Sequence, residues 1–231
     1  MYQAADPFCS ARITVPVLWD KKTRTIVSND SWSIVKMLAA AFPSLSAFAA
    51  PPALYPEAER VAIEALHAEL KANLLNGVYR AGINLVRGNP EAAAKGRADV
   101  FASLDKWNAT LASRRFLTGA TIRAVDIRLV MTLLRYDSSY FDAFGMQLVD
   151  AEQAAPSTPQ RGNVLTGDGY PHLKAYVRDV YQSGVGPTVH WESFNQYFRW
   201  TVGHPADAPL PDISRIVASA EAPCPERAAL A

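Results

Sequence analysis

Asp30 and Ser31, near the amino terminus, have the types and the spacing to hold a zwitterionic amino acid. Asp30 and Ser31 end a polar run directly before an apolar segment whose spacing predicts a helix. The backbone N–H groups and the dipole at a helix start attract a carboxylate, and the Asp30 side chain could bind the ammonium group. Val15 and Pro16 lie upstream in an apolar run, where a proline indicates an edge strand, a bulge or a cis peptide bond.

Positioning these two pairs requires a β-hairpin followed by a helix. Residues 13–18 form an apolar, β-branched run that is typical of a buried strand, and residues 25–27 predict a second strand. The polar residues 20–23 between them suit a tight turn. A helix capped by Asn29, Asp30 or Ser31 follows. The predicted order of this unit is therefore strand, turn, strand, helix.

The composition excludes several classes of protein. The 231 residues suffice for one or two domains with a sizeable core. A net charge of +1 gives no reason to expect nucleic-acid or membrane binding. Two cysteines far apart in the chain, Cys9 and Cys224, predict neither a disulfide framework nor a zinc site. We expect a soluble cytoplasmic protein without a bound metal.

The rest of the chain has the pattern of a helical domain. Residues 42–56 are rich in alanine, serine and proline, which is the composition of a linker. Beyond them, apolar residues recur at helical spacing as far as about residue 198, and we interpret each stripe as the packing face of an amphipathic helix. Proline and alanine dominate residues 204–231, and we expect an irregular, partly disordered tail there.

Several motifs resemble one known family in the same order along the chain. The run VPVLWDKKT followed by TIVSNDS resembles the second half of the thioredoxin-like domain of glutathione transferases, and most specifically the Xi class, the glutathionyl-hydroquinone reductases. NGVYRAG at 76–82, FLTG at 116–119, YPHLKAYVRDVYQ at 170–182 and NQYFR at 195–199 are also similar to motifs of that class. The resemblance therefore runs from Tyr2 to about Arg199 and covers most of the chain.

This resemblance implies an α+β fold in two parts. A partial thioredoxin-like domain, consisting of a β-hairpin plus a helix, would occupy residues 1–45 and bind glutathione. An all-helical glutathione-transferase C-terminal domain would occupy residues 55–203, followed by the irregular tail at 204–231.

The resemblance also implies roles for single residues. Val15, beside a cis Pro16, would hydrogen-bond the cysteinyl backbone of glutathione. Asp30 and Ser31 would bind the γ-glutamyl end, although Asp30 stands where the family has a longer glutamate. Three tyrosines, which offer both an aromatic face and a hydroxyl, would line the pocket for a hydroquinone ring: Tyr79, Tyr140 and Tyr197.

Asp126 has an expected structural role in the helical domain. In glutathione transferases the corresponding aspartate caps a helix, opposite a serine or threonine three residues earlier. This chain has Arg123 at that earlier position, so the capping box is broken unless Thr121 substitutes for it.

The implied activity is glutathione-dependent reduction of glutathionyl-hydroquinones, with glutathione as co-substrate, a quinol-type aromatic substrate and a homodimeric assembly. The family's catalytic cysteine belongs to a segment that precedes the cis-proline strand and has no match here, so we interpret the chain as a truncated member whose own activity stays open. Cys9 precedes a strand rather than a helix, and we expect an incidental thiol. Two alternatives are a non-catalytic ligand-binding or dimerisation module and a transferase that activates glutathione without a cysteine.

Overall fold

The computed structural model describes residues 1–42, 52–146, 162–193, 213–218, 227 and 230. The chain divides into two compact units, Met1–Glu59 and Arg60–Ala231. The first contains a β-hairpin and a helix, and the described part of the second is helical. This is the predicted order of a strand-containing part followed by a helical part.

The amino-terminal unit is built on a two-stranded antiparallel sheet. One turn of helix, α1, spans Tyr2–Ala5, and the strands are β1 (Leu18–Asp20) and β2 (Thr25–Ser28). The pairing contains an irregularity between Leu18 and Trp19. Helix α2 follows at Ser31–Ala41 and buries Trp32. The turn forms because the Asp20 side chain accepts hydrogen bonds from the backbone N–H groups of the residues just after it.

The prediction of a buried strand over residues 13–18 was wrong for most of that run. Only Leu18 belongs to β1, and the Ile13 and Val15 side chains are 69% and 82% exposed. Pro16 has no N–H to donate to a ladder, and no strand in the described chain pairs with residues 13–17. The Val15–Pro16 peptide bond is cis, one of the three arrangements that the sequence left open.

Long helices form the second unit. They are α3 (Arg60–Leu70), α4 (Asn76–Val86), α5 (Pro90–Thr110), α6 (Ala124–Arg135), α7 (Pro171–Val180) and the short α8 (Ile213–Ala218). A π-helical turn, Lys71–Leu75, joins α3 to α4, and a second one, Tyr136–Tyr140, extends α6 into the turn Phe141–Ala143. Of the described helices, none has the length and apolar composition needed to cross a bilayer.

The core of this unit lies where α4 packs closely on α5. Val78 of α4 and Val100 and Leu104 of α5 are fully buried. Gly96 permits the close approach, because a Cβ at this position would lie 2.8 Å from the backbone nitrogen of Ala81. The apolar stripe predicted on α5 is therefore a packing face.

A short helix lies within the described part of the tail, where the composition predicts an irregular segment. Helix α8 buries Ile213 and Val217, which stand four residues apart on one helix face. Further along, the Arg227 side chain is only 4% exposed. The expectation of an irregular tail over residues 204–231 stays a prediction for the rest of that segment.

Candidate functional site

Tyr2 connects the two parts of the predicted glutathione site. Its hydroxyl donates to the Thr14 carbonyl oxygen at 2.8 Å and accepts from the Asn29 side-chain amide at 3.0 Å. Thr14 precedes Val15, and Asn29 precedes Asp30, so one phenol holds the two predicted pairs in the same region of the unit. The hydrogen bond with the Thr14 side chain is the main reason that the pKa of Tyr2 lies below its ordinary value. Residue patterns had not identified Tyr2, although it opens the stretch that resembles the family, and had named Asn29 only as a candidate helix cap.

Asp30 is the N-cap of α2, and its carboxylate accepts from the Ser33 N–H at 2.8 Å. The side chain is exposed, as is that of Val15. Within the described residues, the Val15 backbone N–H and carbonyl make no hydrogen bond. A backbone with open polar groups can pair with the backbone of a bound peptide.

Tyr79 and Tyr140, predicted from separate motifs, lie side by side in the helical unit. Their hydroxyl oxygens are 3.1 Å apart, and the two rings meet edge to face with centroids 5.6 Å apart. Phe144 stacks on Tyr140 with a centroid separation of 5.3 Å and also contacts Tyr79. The third predicted tyrosine, Tyr197, lies outside the described residues. Two of the three predicted pocket residues are therefore in direct contact.

Phe144 had no signal in the sequence analysis, because two of its partners, Tyr79 and Gly82, come from a helix far away in the chain. Gly82 of α4 makes room for it: a Cβ at Gly82 would overlap the Phe144 ring. A helical glycine that is fully packed against an aromatic ring is the one local sign that could have pointed to this contact.

Burial and Arg135 both act on the hydroxyl of Tyr140. Tyr140 is 3% exposed, and burial, reinforced by Tyr79, raises its pKa well above the ordinary value, so the phenol keeps its proton. Arg135 also interacts with the Tyr140 hydroxyl and opposes that shift. An arginine can only donate, so the Tyr140 oxygen accepts from Arg135, and either phenol of the pair can donate to the other. When Tyr140 is the donor, the Tyr79 hydroxyl hydrogen is available to a ligand.

A groove runs along α4 beside Tyr79. Its volume is about 450 Å³, and its six lining residues come from a single stretch of chain: Asn76, Tyr79, Arg80, Ile83, Asn84 and Arg87. Tyr79 is 44% exposed and Ile83 is 46% exposed, so an aromatic face and an aliphatic face are both open at the surface. A phenol donor beside an open apolar wall can bind an aromatic ring that carries an oxygen acceptor.

Asp126 is fully buried at the start of α6. Its carboxylate accepts from the backbone N–H groups of Leu117 at 2.9 Å and Arg123 at 2.8 Å, and from the Tyr176 hydroxyl at 2.8 Å. Burial raises the pKa of Asp126, while these three donors act in the opposite direction. The N-cap is Arg123 rather than Thr121, and a guanidinium cannot accept a hydrogen bond, so the cap is made from the Asp126 side alone.

Asp137 holds the turn that contains Tyr140, and the sequence analysis had missed it. Its carboxylate accepts from the backbone N–H groups of Val164, Leu165 and Thr166 at 2.7, 2.8 and 2.7 Å. Burial raises its pKa against the effect of these donors. The π-helical turn is thereby attached to the segment that precedes α7.

The chain is similar in sequence to known proteins. Residues 90–179 match the family model described as the glutathione S-transferase C-terminal domain. This chain contains a glutathione S-transferase C-terminal domain. The chain is 37% identical over 201 residues to the glutathionyl-hydroquinone reductase YqjG of Escherichia coli K12, an alignment that covers 86% of this chain and 55% of that protein. It is 36% identical over 148 residues to the glutathionyl-hydroquinone reductase PcpF of Sphingobium chlorophenolicum, covering 64% of this chain and 46% of the relative.

Solved structures of glutathione transferases have the same fold. The glutathione-bound structure of YqjG aligns with a TM-score of 0.72 and 33% identity, over 92% of this chain and 65% of that one. The Xi-class glutathione transferase from Natrialba magadii aligns with a TM-score of 0.74 and 29% identity, over 91% of this chain and 60% of that one. These matches confirm the resemblance to the Xi class and the fold of a partial thioredoxin-like part followed by the helical domain. The chain spans about half the length of the curated relatives it matches.

The glutathione-transferase domain also contains a buried charge network that sequence patterns did not reveal. Arg115 donates to both Asp179 carboxylate oxygens, at 3.0 and 2.9 Å. Arg227, from the tail, lies 3.7 Å from the same carboxylate and donates to the backbone carbonyls of Leu111 at 3.0 Å and Arg114 at 3.1 Å. It also donates to the carbonyl of Arg115. Arg227 therefore binds carbonyls at and just beyond the end of α5, where helical carbonyls lack partners.

Cys9 lies in a turn of the amino-terminal unit and is partly buried. Its backbone N–H donates to the Asp6 carbonyl at 3.1 Å, and no described helix begins at this residue. Its role as an incidental thiol stays a prediction. Among the described residues, no group of three or more His, Cys, Asp or Glu side chains could hold a metal ion.

Proposed function

We propose that this chain takes part in the glutathione-dependent reduction of glutathionyl-hydroquinones, as a homodimer. The observation that supports this best is the hydrogen-bonded pair of Tyr79 and Tyr140 beside an open groove. With Tyr140 as the donor within the pair, Tyr79 can donate to a ring oxygen of a quinol. The aromatic and aliphatic faces of the groove suit the ring itself. Tyr197 would complete the pocket.

In the same proposal, the amino-terminal unit holds glutathione. The open backbone of Val15 would pair with the cysteinyl part of the tripeptide, and Asp30 would bind the γ-glutamyl ammonium group. Ser31 and the first N–H groups of α2 would bind the γ-glutamyl carboxylate. The glutathione-bound YqjG structure, which aligns over 92% of this chain, is consistent with glutathione as the co-substrate.

The proposed reaction balances without an outside oxidant. The carbon–sulfur bond of the conjugate breaks, the ring carbon gains hydrogen, and the two glutathionyl sulfurs form a disulfide. The ring is reduced by two electrons, and these come from the two sulfur atoms that become the disulfide: the thioether sulfur of the conjugate and the thiol sulfur of one free glutathione, which also supplies the proton. By resemblance, a catalytic cysteine thiolate would take the first glutathionyl group as a mixed disulfide, and a second glutathione would release it. We assign this nucleophile to none of the described residues.

Two measurements on the purified chain test the proposal. Calorimetry with glutathione tests the first half-site, and chromatographic detection of free hydroquinone from a glutathionyl-hydroquinone with excess glutathione tests turnover. We expect Tyr79→Phe to lower kcat/KM by about tenfold, which is the value of one lost hydrogen bond in the transition state. Tyr181→Phe is the matched control, because it removes a hydroxyl that binds Trp191 rather than the groove.

The outcomes separate the alternatives. Release of hydroquinone with the expected Tyr79 effect supports the reductase. Glutathione binding without any release would favour a non-catalytic ligand-binding module. A chain that binds neither glutathione nor a hydroquinone contradicts the proposal as a whole.

A further inference from the structure

Arg87 differs from the other charged residue described in the groove because it has no hydrogen-bond or ion-pair partner among the described residues. Arg80, the other lining arginine, donates to the Ala72 carbonyl at 2.7 Å and to the Asp99 carboxylate at 3.2 Å, so its charge is compensated. The Arg87 guanidinium makes no hydrogen bond or ion pair with any residue that the structure describes. Among the described residues that line the groove, none is acidic. One uncompensated positive charge therefore faces this surface.

The position of Arg87 relative to Tyr79 is set by the helix. Tyr79, Ile83 and Arg87 stand at successive intervals of four residues, so they occupy one face of α4 and its last turn. Eight residues of helix separate the ends of this series by about 12 Å. Both residues line the same groove, so a substituted ring that lies along it can contact both.

We infer that the groove selects hydroquinones that carry an anionic substituent, with Arg87 as the residue that determines this specificity. A ring hydroxyl binds Tyr79, the ring covers Ile83, and a carboxylate or similar anion on the ring binds the Arg87 guanidinium. Arginine suits this task because its planar fork can donate two parallel hydrogen bonds to a carboxylate. This inference rests on the proposed aromatic pocket and goes further by naming the substrate class.

The test compares two probes that differ in one charge. At about pH 7, 2,5-dihydroxybenzoate carries a carboxylate, whereas its methyl ester has the same hydroquinone ring without the charge. Both are measured by equilibrium dialysis against the full chain, so no turnover is needed. We expect the acid to bind about threefold tighter than the ester, because an exposed ion pair contributes modestly. Salt at about 0.5 M should remove most of this preference.

Three variants show which residue causes the preference for the acid. Arg87→Gln should reduce the affinity for the acid to that for the ester and leave the ester unchanged. Arg114→Gln is the control: it removes the same charge from another exposed arginine, one that does not line the groove. Tyr79→Phe should weaken both probes, since they share the ring hydroxyl.

The possible results distinguish a failure of the role of Arg87 from a failure of the aromatic pocket. Equal binding of acid and ester by the unaltered chain overturns the role of Arg87 and leaves the aromatic pocket standing. A preference for the acid that survives in Arg87→Gln also overturns it. If neither probe binds, or if Tyr79→Phe changes nothing, the pocket itself is wrong and the proposed function fails with it.

Discussion

Val15 and Asp30 of the amino-terminal unit are exposed, whereas Tyr140, Asp126 and Asp137 of the helical unit are all 3% exposed or less. In the first unit the candidate ligand groups are a backbone and a helix start, both open to water. In the second, the turn that contains Tyr140 depends on the buried Asp137 carboxylate and on the three backbone N–H groups that donate to it. Loss of one buried partner should therefore be costly in the helical unit, and loss of one exposed partner should cost little in the other.

The largest expected effect comes from Asp137→Ala. The change leaves three backbone N–H groups of residues 164–166 without their acceptor, and each buried orphan costs about 1–3 kcal/mol. We expect a loss of about 3–4 kcal/mol in the free energy of unfolding by urea, together with faster hydrogen exchange in residues 136–143. Asp137→Asn, which keeps one acceptor oxygen, should lose about half as much.

The matched change in the other unit is Asp6→Ala. The Asp6 side chain also accepts a backbone N–H, that of Phe8 at 2.9 Å, but in an exposed position. Water can replace this acceptor, so the cost should stay below about 0.5 kcal/mol. Similar losses for Asp6→Ala and Asp137→Ala would show that burial does not separate the two units as argued.

Arg227→Met should cause the next largest loss of stability. It removes the donors to the carbonyls at and beyond the end of α5, while Asp179 keeps its two bonds from Arg115. Because the carboxylate remains paired and methionine fills much of the same space, the expected loss is about 2 kcal/mol. The measurement is hydrogen exchange by mass spectrometry, with protection lost in residues 107–115. Unchanged protection there would mean that the tail does not stabilise this domain.

Alkaline titration compares the tyrosines of the two units directly. Hydrogen bonds lower the pKa of Tyr2, whereas burial raises the pKa of Tyr136 and of Tyr176. Absorbance at about 295 nm should therefore show Tyr2 ionising first, and the buried tyrosines ionising only as the helical unit unfolds.

The sign of the stability change follows from the raised pKa values. Tyr136 and Tyr176 contribute their full stability below about pH 10, where tyrosines are protonated in both states. Above that pH the unfolded chain releases protons that the folded chain keeps, so stability falls by about 1.4 kcal/mol per pH unit for each such tyrosine. A smooth titration of all tyrosines near pH 10 without unfolding would contradict the buried network.

What the sequence could predict depended on whether a contact is local. The hairpin turn, the Asp30 cap and the tyrosine motifs follow from short runs of residues. The exposure of Val15 did not, because an apolar composition predicts burial whether or not a pairing strand exists. The Arg227–Asp179 contact joins the proline- and alanine-rich tail to α7. The sequence around either residue gives no indication that the two side chains are in contact. Phe144 was missed for the same reason, since its place beside Tyr79 depends on Gly82 of α4.

Asp30 offers the change that best isolates the exposed glutathione site proposed for the amino-terminal unit. Asp30→Ala removes the cap on the Ser33 N–H and should cost about 1 kcal/mol of stability, whereas Asp30→Asn keeps a capping oxygen and should cost almost nothing. The proposed glutathione contact needs the charge rather than the cap, because it binds an ammonium group. Both variants should therefore weaken glutathione binding in calorimetry to a similar degree, despite their different melting temperatures. If Asp30→Asn binds glutathione as tightly as the unaltered chain does, Asp30 serves α2 alone and the ammonium group is bound elsewhere.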